Sequence, residues 1–225
     1  IYGVTTGFGE NVRYTISPSD ATTLQEDIIR THSVAVGEPL TRVQARAVML
    51  MTILNAGKGH SGIRIETLEL IRQMLNLELI PYAPGEGSVG YLGVEAHLAM
   101  AYIGEGKIYE DGKPVPALGV LEKHGLAPLK LSYKEGLTMT NGTITVTALG
   151  LLALYEALTT MQNMELGGGL CYEALRATTK ALDPRIHQAK RHEEQITSAS
   201  NLRRMLEGSQ ICEKYRDVKV QDAYV

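Results

Sequence analysis

The 225-residue sequence predicts an all-α fold of long helices with a minor β-hairpin. Three observations carry this. Ala, Leu, Glu, Met and Gln are plentiful, Phe8 is the only Phe, and there is no Trp. Several stretches repeat apolar residues at helical spacing. Only Ile108 to Val115, with Asp111-Gly112 inside it, carries a clear strand signal, that of a small hairpin.

Residues 1–16 are glycine-rich without a clean period, which predicts a structured loop. Ser17-Pro18-Ser19-Asp20 is a helix-start cluster, and Leu24, Ile28, Ile29 and His32 continue the helix, with Gly37 as its stop. Thr41 caps a second helix through about Asn55. Its apolar set of Val43, Ala47, Val48, Leu50, Met51 and Leu54 is wide enough to predict burial of most of it. Residues 63–76 repeat the pattern with Ile65, Leu68, Ile71, Met74 and Leu75. Pro81, Pro84, Gly85 and Gly87 break it into a loop. Tyr91 to Ile103 reads as a helix entered from a glycine turn, and 117–124 as a short one ending at Gly125. Thr143 to Met164 is apolar around much of its circumference and is expected to be the central buried helix, ended or kinked by Gly167-Gly168-Gly169. Leu170 to Thr179 and Gln195 to Glu207 complete the helices.

A formal net charge of −3, with both signs mixed along the chain, offers no electrostatic case for nucleic acid or an anionic membrane surface. No apolar run is expected to serve as a membrane span. Thr143 to Met164 comes nearest, but Thr143, Thr145, Thr147, Glu156, Thr159 and Thr160 interrupt it. Cys171 and Cys212 form no metal or redox spacing and are expected to be free thiols in a cytoplasmic protein. No motif for a metal, flavin or nucleotide is present. Gly57-Lys58-Gly59-His60-Ser61-Gly62 has the letters of a dinucleotide turn, but a helix precedes it and no βαβ unit follows, so it reads as a helix-to-helix turn, with His60 a weak site residue.

Four further segments combine glycines with chemically active side chains. Ile1-Tyr2-Gly3-Val4-Thr5-Thr6-Gly7-Phe8-Gly9 sets a tyrosine in a tight loop, where it is either a buried structural residue or a proton carrier. Thr31-His32-Ser33 puts a histidine near a helix end, structural or ligand-facing. Lys134-Glu135-Gly136-Leu137 through Asn141-Gly142-Thr143 has an Asn-Gly that generically just caps a helix. Gln221-Asp222-Ala223-Tyr224 closes the chain. Between them, Gly87-Ser88-Val89-Gly90 runs into Tyr91 and on to Gly104-Glu105-Gly106.

Together, in this order, these segments resemble the aromatic amino acid ammonia-lyase and aminomutase family, over essentially the whole chain and nearest to the histidine ammonia-lyases. The resemblance implies the family's long-helix bundle and a homotetramer with shared active sites. It also implies elimination of ammonia from an aromatic L-amino acid, histidine first, with tyrosine or phenylalanine lyases, aminomutases or a catalytically dead helical paralogue as alternatives. Residues 1–225 are expected to be a single helical catalytic region of a longer polypeptide. By resemblance, Tyr2 is the base for the β-proton, Asn141 supports the prosthetic group, and His32 meets a polar ring. Gln221 and Tyr224 reach a neighbouring subunit's site, while the arginine for the substrate carboxylate would follow Val225. Asp183-Pro184-Arg185-Ile186-His187 and Gln195-Ile196 fit structural landmarks.

One departure bears on the chemistry. The family cyclises an Ala-Ser-Gly into 4-methylidene-imidazol-5-one (MIO), an electrophile that no ordinary side chain replaces. Here Gly90 meets Tyr91 directly, and the chain is three residues short at that point. Where the family reads Asp-Leu-Ala-Pro-Leu-Ala-His, this chain has Tyr91-Leu92-Gly93-Val94-Glu95-Ala96-His97. The leucine and Ala-His keep register, so the expectation is a cofactor tripeptide not written between Gly90 and Tyr91. The helices entered from Gly90 and Asn141 would offer their N-terminal partial charges to the site.

Overall fold

The computed structural model describes residues 1–17 and 19–222; Pro18, Ala223, Tyr224 and Val225 lie outside the described residues. The chain divides into two compact units, Ile1–Leu152 and Ala153–Val225.

The first unit contains the helices α1 (Ala21–His32), α2 (Arg42–Ala56), α3 (Ile65–Asn76), α4 (Leu92–Tyr102), α5 (Ala117–Lys123) and α6 (Glu135–Thr140), and the start of α7 (Ile144–Ala174). Two antiparallel pairs complete it: β1 (Val36–Pro39) with β2 (Pro84–Glu86), and β3 (Lys107–Glu110) with β4 (Lys113–Pro116). The second pair is the expected hairpin, turning at Asp111-Gly112, both at positive φ. The first pair escapes a local reading because it joins short glycine- and proline-containing segments far apart in sequence. Gly37 accordingly does not stop α1. The helix ends at Ser33, whose hydroxyl donates back to the Ile29 carbonyl at 2.8 Å, and Gly37 sits in β1 at φ +78°, with the Glu86 carboxyl where a Cβ would be.

Thr41 caps α2 as its sequence predicts. Its hydroxyl accepts the Gln44 N–H, and the Gln44 side chain accepts the Thr41 N–H, a reciprocal capping box. Burial of α2 is narrower than expected. Ala45, Val48, Met49, Thr52 and Ala56 face the core, while Val43, Leu50 and Leu54 are exposed.

The central helix is α4 and not the expected segment after Thr143. Gly93 to Ala96, Leu98, Ala99, Ala101 and Tyr102 are all buried, so α4 has little polar face to give it a helical signature. It packs on α1 and α6, in a core with Ile29, Met49, Ile71, Met74, Ile80 and Leu121. Helix α7 is longer than predicted and runs through Gly167-Gly168-Gly169, which neither stop nor end it. Beyond Ile144, Thr145 and Ala148, most of its apolar side chains, including Leu154, Leu158, Met161 and Leu170, are exposed. As the sequence suggested for its apolar segment, the stretch Glu135–Ala174 is long and apolar enough to cross a membrane by length and composition alone, with a mean hydropathy of 1.5 over 18 of its residues.

The second unit holds the rest of α7, α8 (Pro184–Lys190), α9 (Glu193–Met205) and α10 (Gln210–Tyr215) around Leu182, Ala199, Leu206 and buried Cys212. Glu165 of α7 accepts from Ser198 and Asn201 of α9. Asp183 caps α8 by accepting the Arg185 N–H at 2.9 Å, with Pro184 in its first turn. Both cysteines are free.

Candidate active site

Three of the residues singled out in the sequence meet on the wall of one cavity. Tyr2, His32 and Asn141 line a hollow of about 700 Å³ in the first unit, with Phe8, Tyr14, Leu24, Ile28 and Leu137 supplying apolar wall. A larger hollow, about 930 Å³, lies in the second unit. Several of its basic groups are already engaged: Lys180 with Asp217, Arg185 with Asp183, and Arg203 with the Leu182 carbonyl. The Tyr2 cavity is therefore the better chemical site despite its smaller volume.

The loop holding Tyr2 closes on itself. The Tyr2 hydroxyl accepts the Gly9 N–H at 3.0 Å, and the ring lies edge-on to Phe8 with centroids 6.3 Å apart. Gly3, at φ +69°, has the Leu137 side chain 2.8 Å from the place of a Cβ, so the loop lies directly on α6. Tyr2 is 46% exposed, not the buried structural residue that a tyrosine in such a loop generically is.

His32 ends α1 with Nδ1 2.8 Å from the Ile28 carbonyl. In the neutral ring, an imidazole nitrogen facing a carbonyl at that distance carries the proton, which leaves Nε2 as an acceptor. A ligand presenting an N–H or O–H on an aromatic ring suits that acceptor. Asn141 ends α6, its N–H donating to the Leu137 carbonyl at 3.0 Å, with its side chain exposed to the cavity. None of the lining residues is Lys or Arg.

A residue that the sequence did not single out ties these parts together. Gln25, 1% exposed, donates to the Gly3 carbonyl at 3.4 Å and accepts the Leu137 N–H at 3.1 Å. Its amide thus joins the Tyr2 loop and the Asn141 helix to α1. The only signal available was a polar residue on the apolar face of α1. Gly136 allows the approach: a Cβ there would stand 2.1 Å from the Gln25 carbonyl oxygen.

The other expected site residues fall elsewhere. Gly90 and Tyr91 do not line the cavity, nor does His60, which is exposed in the α2–α3 turn. Gln221 is exposed in the second unit, and Tyr224 lies outside the described residues. At the Gly90–Tyr91 junction φ is +60° at Gly90 and +64° at Tyr91. Left-handed geometry costs a tyrosine about 1–2 kcal/mol. Outside Gly90 nothing stands within 4 Å of a Cβ position. The nearest serine, Ser88, accepts the Gly93 N–H at 2.6 Å and is flanked by Gly87 and Val89, not by Ala and Gly. The residues present therefore do not supply the tripeptide from which MIO is made.

A helical unit whose helix ends and one glycine loop hold a tyrosine, a histidine and an asparagine around a hollow of about 700 Å³ is a candidate small-molecule site. A model of the aromatic amino acid lyases matches residues 1–225, and the chain belongs to that family. It is 40% identical over 227 residues to a histidine ammonia-lyase of Alkaliphilus oremlandii, covering 100% of this chain and 45% of that protein. The crystal structure of tyrosine aminomutase from Streptomyces globisporus superposes with a TM-score of 0.91 at 36% identity, over 100% of this chain and 45% of the other. Histidine ammonia-lyase from Trypanosoma cruzi gives 0.84 at 38% identity, over 90% of this chain and 39% of the other. The chain thus spans about half the length of the relatives it matches.

Proposed function

We propose that this chain is the part of a carbon–nitrogen lyase that carries the base and the ring pocket, and that its substrate is an aromatic L-amino acid, L-histidine first. The observation that carries this is the convergence of Tyr2, His32 and Asn141 on one aromatic-sized cavity. In the proposed reaction the Cα–N bond breaks, nitrogen leaves as ammonia with the bonding pair, and the β-proton passes to the Tyr2 oxygen as the double bond forms. His32 Nε2 accepts the ring N–H of histidine, Phe8, Leu24, Ile28 and Leu137 enclose the ring, and the Asn141 amide orients the amino-acid end. Gln221 and Tyr224 act in the site of a neighbouring subunit of a homotetramer, a reading supported by the exposed apolar length of α7. The proposed location is the cytoplasm, in keeping with two unpaired thiols.

The cofactor belongs to this proposal as well: the active protein carries a cyclised Ala-Ser-Gly between Gly90 and Tyr91. The three-residue shortfall, the left-handed Tyr91 and the open space at Gly90 support it. A second reading rests on the sequence itself, in which Tyr91 follows Gly90 with no Ala-Ser-Gly between them. On that reading the chain binds the amino acid without eliminating ammonia.

Mass analysis of the peptide spanning Gly87 to His97, with a urocanate absorbance assay on L-histidine, decides between them. Added mass matching a cyclised tripeptide, together with urocanate formation, supports the lyase. An unaltered junction with histidine binding but no product selects the second reading. Product from tyrosine or phenylalanine but none from histidine overturns the substrate assignment, and a β-amino acid product identifies an aminomutase.

A further inference from the structure

Glu95 is the buried carboxylate that the proposed chemistry does not use. It lies in α4, 3% exposed, with no ion-pair partner among the described residues. Its Oε1 accepts the N–H of Thr145 at 3.0 Å, in the first turn of α7. Amides of a first helical turn have no acceptor within their own helix. A carboxylate aimed at them also meets the positive end of the helix dipole. Glu95 is therefore a cap supplied to α7 from another helix.

The same place holds unusual polar atoms. Glu95 Oε2 and the Tyr102 hydroxyl are buried without hydrogen-bond partners. Burying a carboxyl with one oxygen unpartnered is costly, and it persists where the surrounding structure demands it. The demand here is local: Asn141-Gly142-Thr143 forms the short link between α6 and α7. Asn141 ends one helix and Ile144 begins the next, so the anchor on Thr145 in that first turn limits where Asn141 can stand. The N-terminus of α7, expected from sequence to offer its charge to the active site, is instead engaged by Glu95.

We propose that Glu95 is a positioning residue for Asn141, holding the α6–α7 turn through the first amides of α7. Its effect on substrate binding rests on the reading of Asn141 as an active-site residue; its effect on the turn does not. The experiment compares the full protein with Glu95→Leu, Glu95→Gln and Asn141→Ala variants. Hydrogen exchange of residues 141–148 is followed by mass spectrometry, and L-histidine binding by calorimetry.

Glu95→Leu is expected to speed exchange in 141–148 at least tenfold, with other segments unchanged, and to weaken histidine binding about fivefold, the order of one lost cap. Glu95→Gln keeps an acceptor oxygen and is expected to retain native exchange. In an Asn141→Ala background, Glu95→Leu is expected to weaken binding no further. Native exchange in folded Glu95→Leu overturns the proposal. Should the leucine variant fail to fold, fast exchange of 141–148 in Glu95→Gln overturns it, and native exchange there supports it. If the unaltered protein does not bind histidine, the proposed function fails while the exchange result still judges Glu95.

Discussion

Replacing Glu135 with alanine should cost this protein a large share of its stability, because one carboxylate holds the start of α6. Glu135 is fully buried. It accepts the backbone N–H groups of Ser132 at 2.8 Å and Arg64 at 3.1 Å, the Thr67 hydroxyl at 2.7 Å, and the Arg64 Nε and Nη2 at 3.1 and 2.7 Å. Alanine removes every one of these acceptors. The buried Thr67 hydroxyl and the two backbone donors are then orphaned, at about 1–3 kcal/mol for a fully buried group and less for one that water reaches. The Arg64 side chain is 44% exposed, so water recovers most of its loss, and its ion pair counts for no more than about 1 kcal/mol. The sum is about 3–4 kcal/mol, in line with breaking a buried pair from one side. Urea unfolding followed by far-ultraviolet circular dichroism, at unchanged slope, measures it. The pH dependence adds a second check. Burial pushes the Glu135 carboxyl up, but the Arg64, Thr67 and Ser132 hydrogen bonds outweigh it and hold the carboxyl below its ordinary range. A lowered folded value means that the contribution is present above the unfolded value of about 4.3 and is lost as pH falls through the folded one. The gap between the native protein and Glu135→Ala should therefore narrow in acid. A loss below about 1 kcal/mol at neutral pH would refute the reasoning.

Glu95 should show the opposite pH sign. Burial pushes its carboxyl up, against the pull of the Thr145 and Ile144 amides. Its contribution is full below the unfolded value and lost as pH rises through the folded one, so Glu95→Gln should gain on the native protein in melting temperature from pH 4 to pH 8, and parallel curves would exclude this. Gly136→Ala places a Cβ 2.1 Å from the Gln25 carbonyl oxygen, a backbone atom, and should destabilise by about 3 kcal/mol in thermal unfolding. Gln25→Leu leaves the Leu137 N–H without its acceptor, and should cost about 1–3 kcal/mol and weaken histidine binding; binding at native strength would remove Gln25 from the site's support. Tyr2→Phe should lower turnover at least a hundredfold with binding within about threefold, as expected of a lost proton acceptor, and unchanged turnover would rule Tyr2 out as the base.

Tyr2, His32 and Asn141 were singled out by resemblance to the family's segments; read alone, the first two suit structural roles and the Asn-Gly suits a helix cap. Tyr2 stands between glycine turns, His32 at a helix end, and Asn141 at a helix-to-helix link. Thr41 was legible on its own, since a capping box closes within four residues. Gln25 and Glu95 were not. Each bonds a partner far along the chain, Leu137 and Thr145 respectively, and in isolation reads as a polar residue in an apolar helix.

The burial of helices was the least legible feature. α4 and α7 are both apolar around most of their surface, yet α4 is enclosed and much of α7 is exposed. Composition records that a helix has no preferred face; it does not record which neighbours cover it. The β1–β2 pair shows the same limit, since two short glycine- and proline-containing segments become strands only when brought together.

The sequence by itself determined that the chain is helical, where most helices begin, and which family's chemistry its loops resemble, because propensity, capping and glycine turns act within a few residues. Tertiary structure alone decided that Tyr2, His32 and Asn141 share one cavity, that Gln25 and Gly136 hold its parts together, and that Glu95 occupies the head of α7. Those outcomes depend on contacts between distant segments, which only close packing creates.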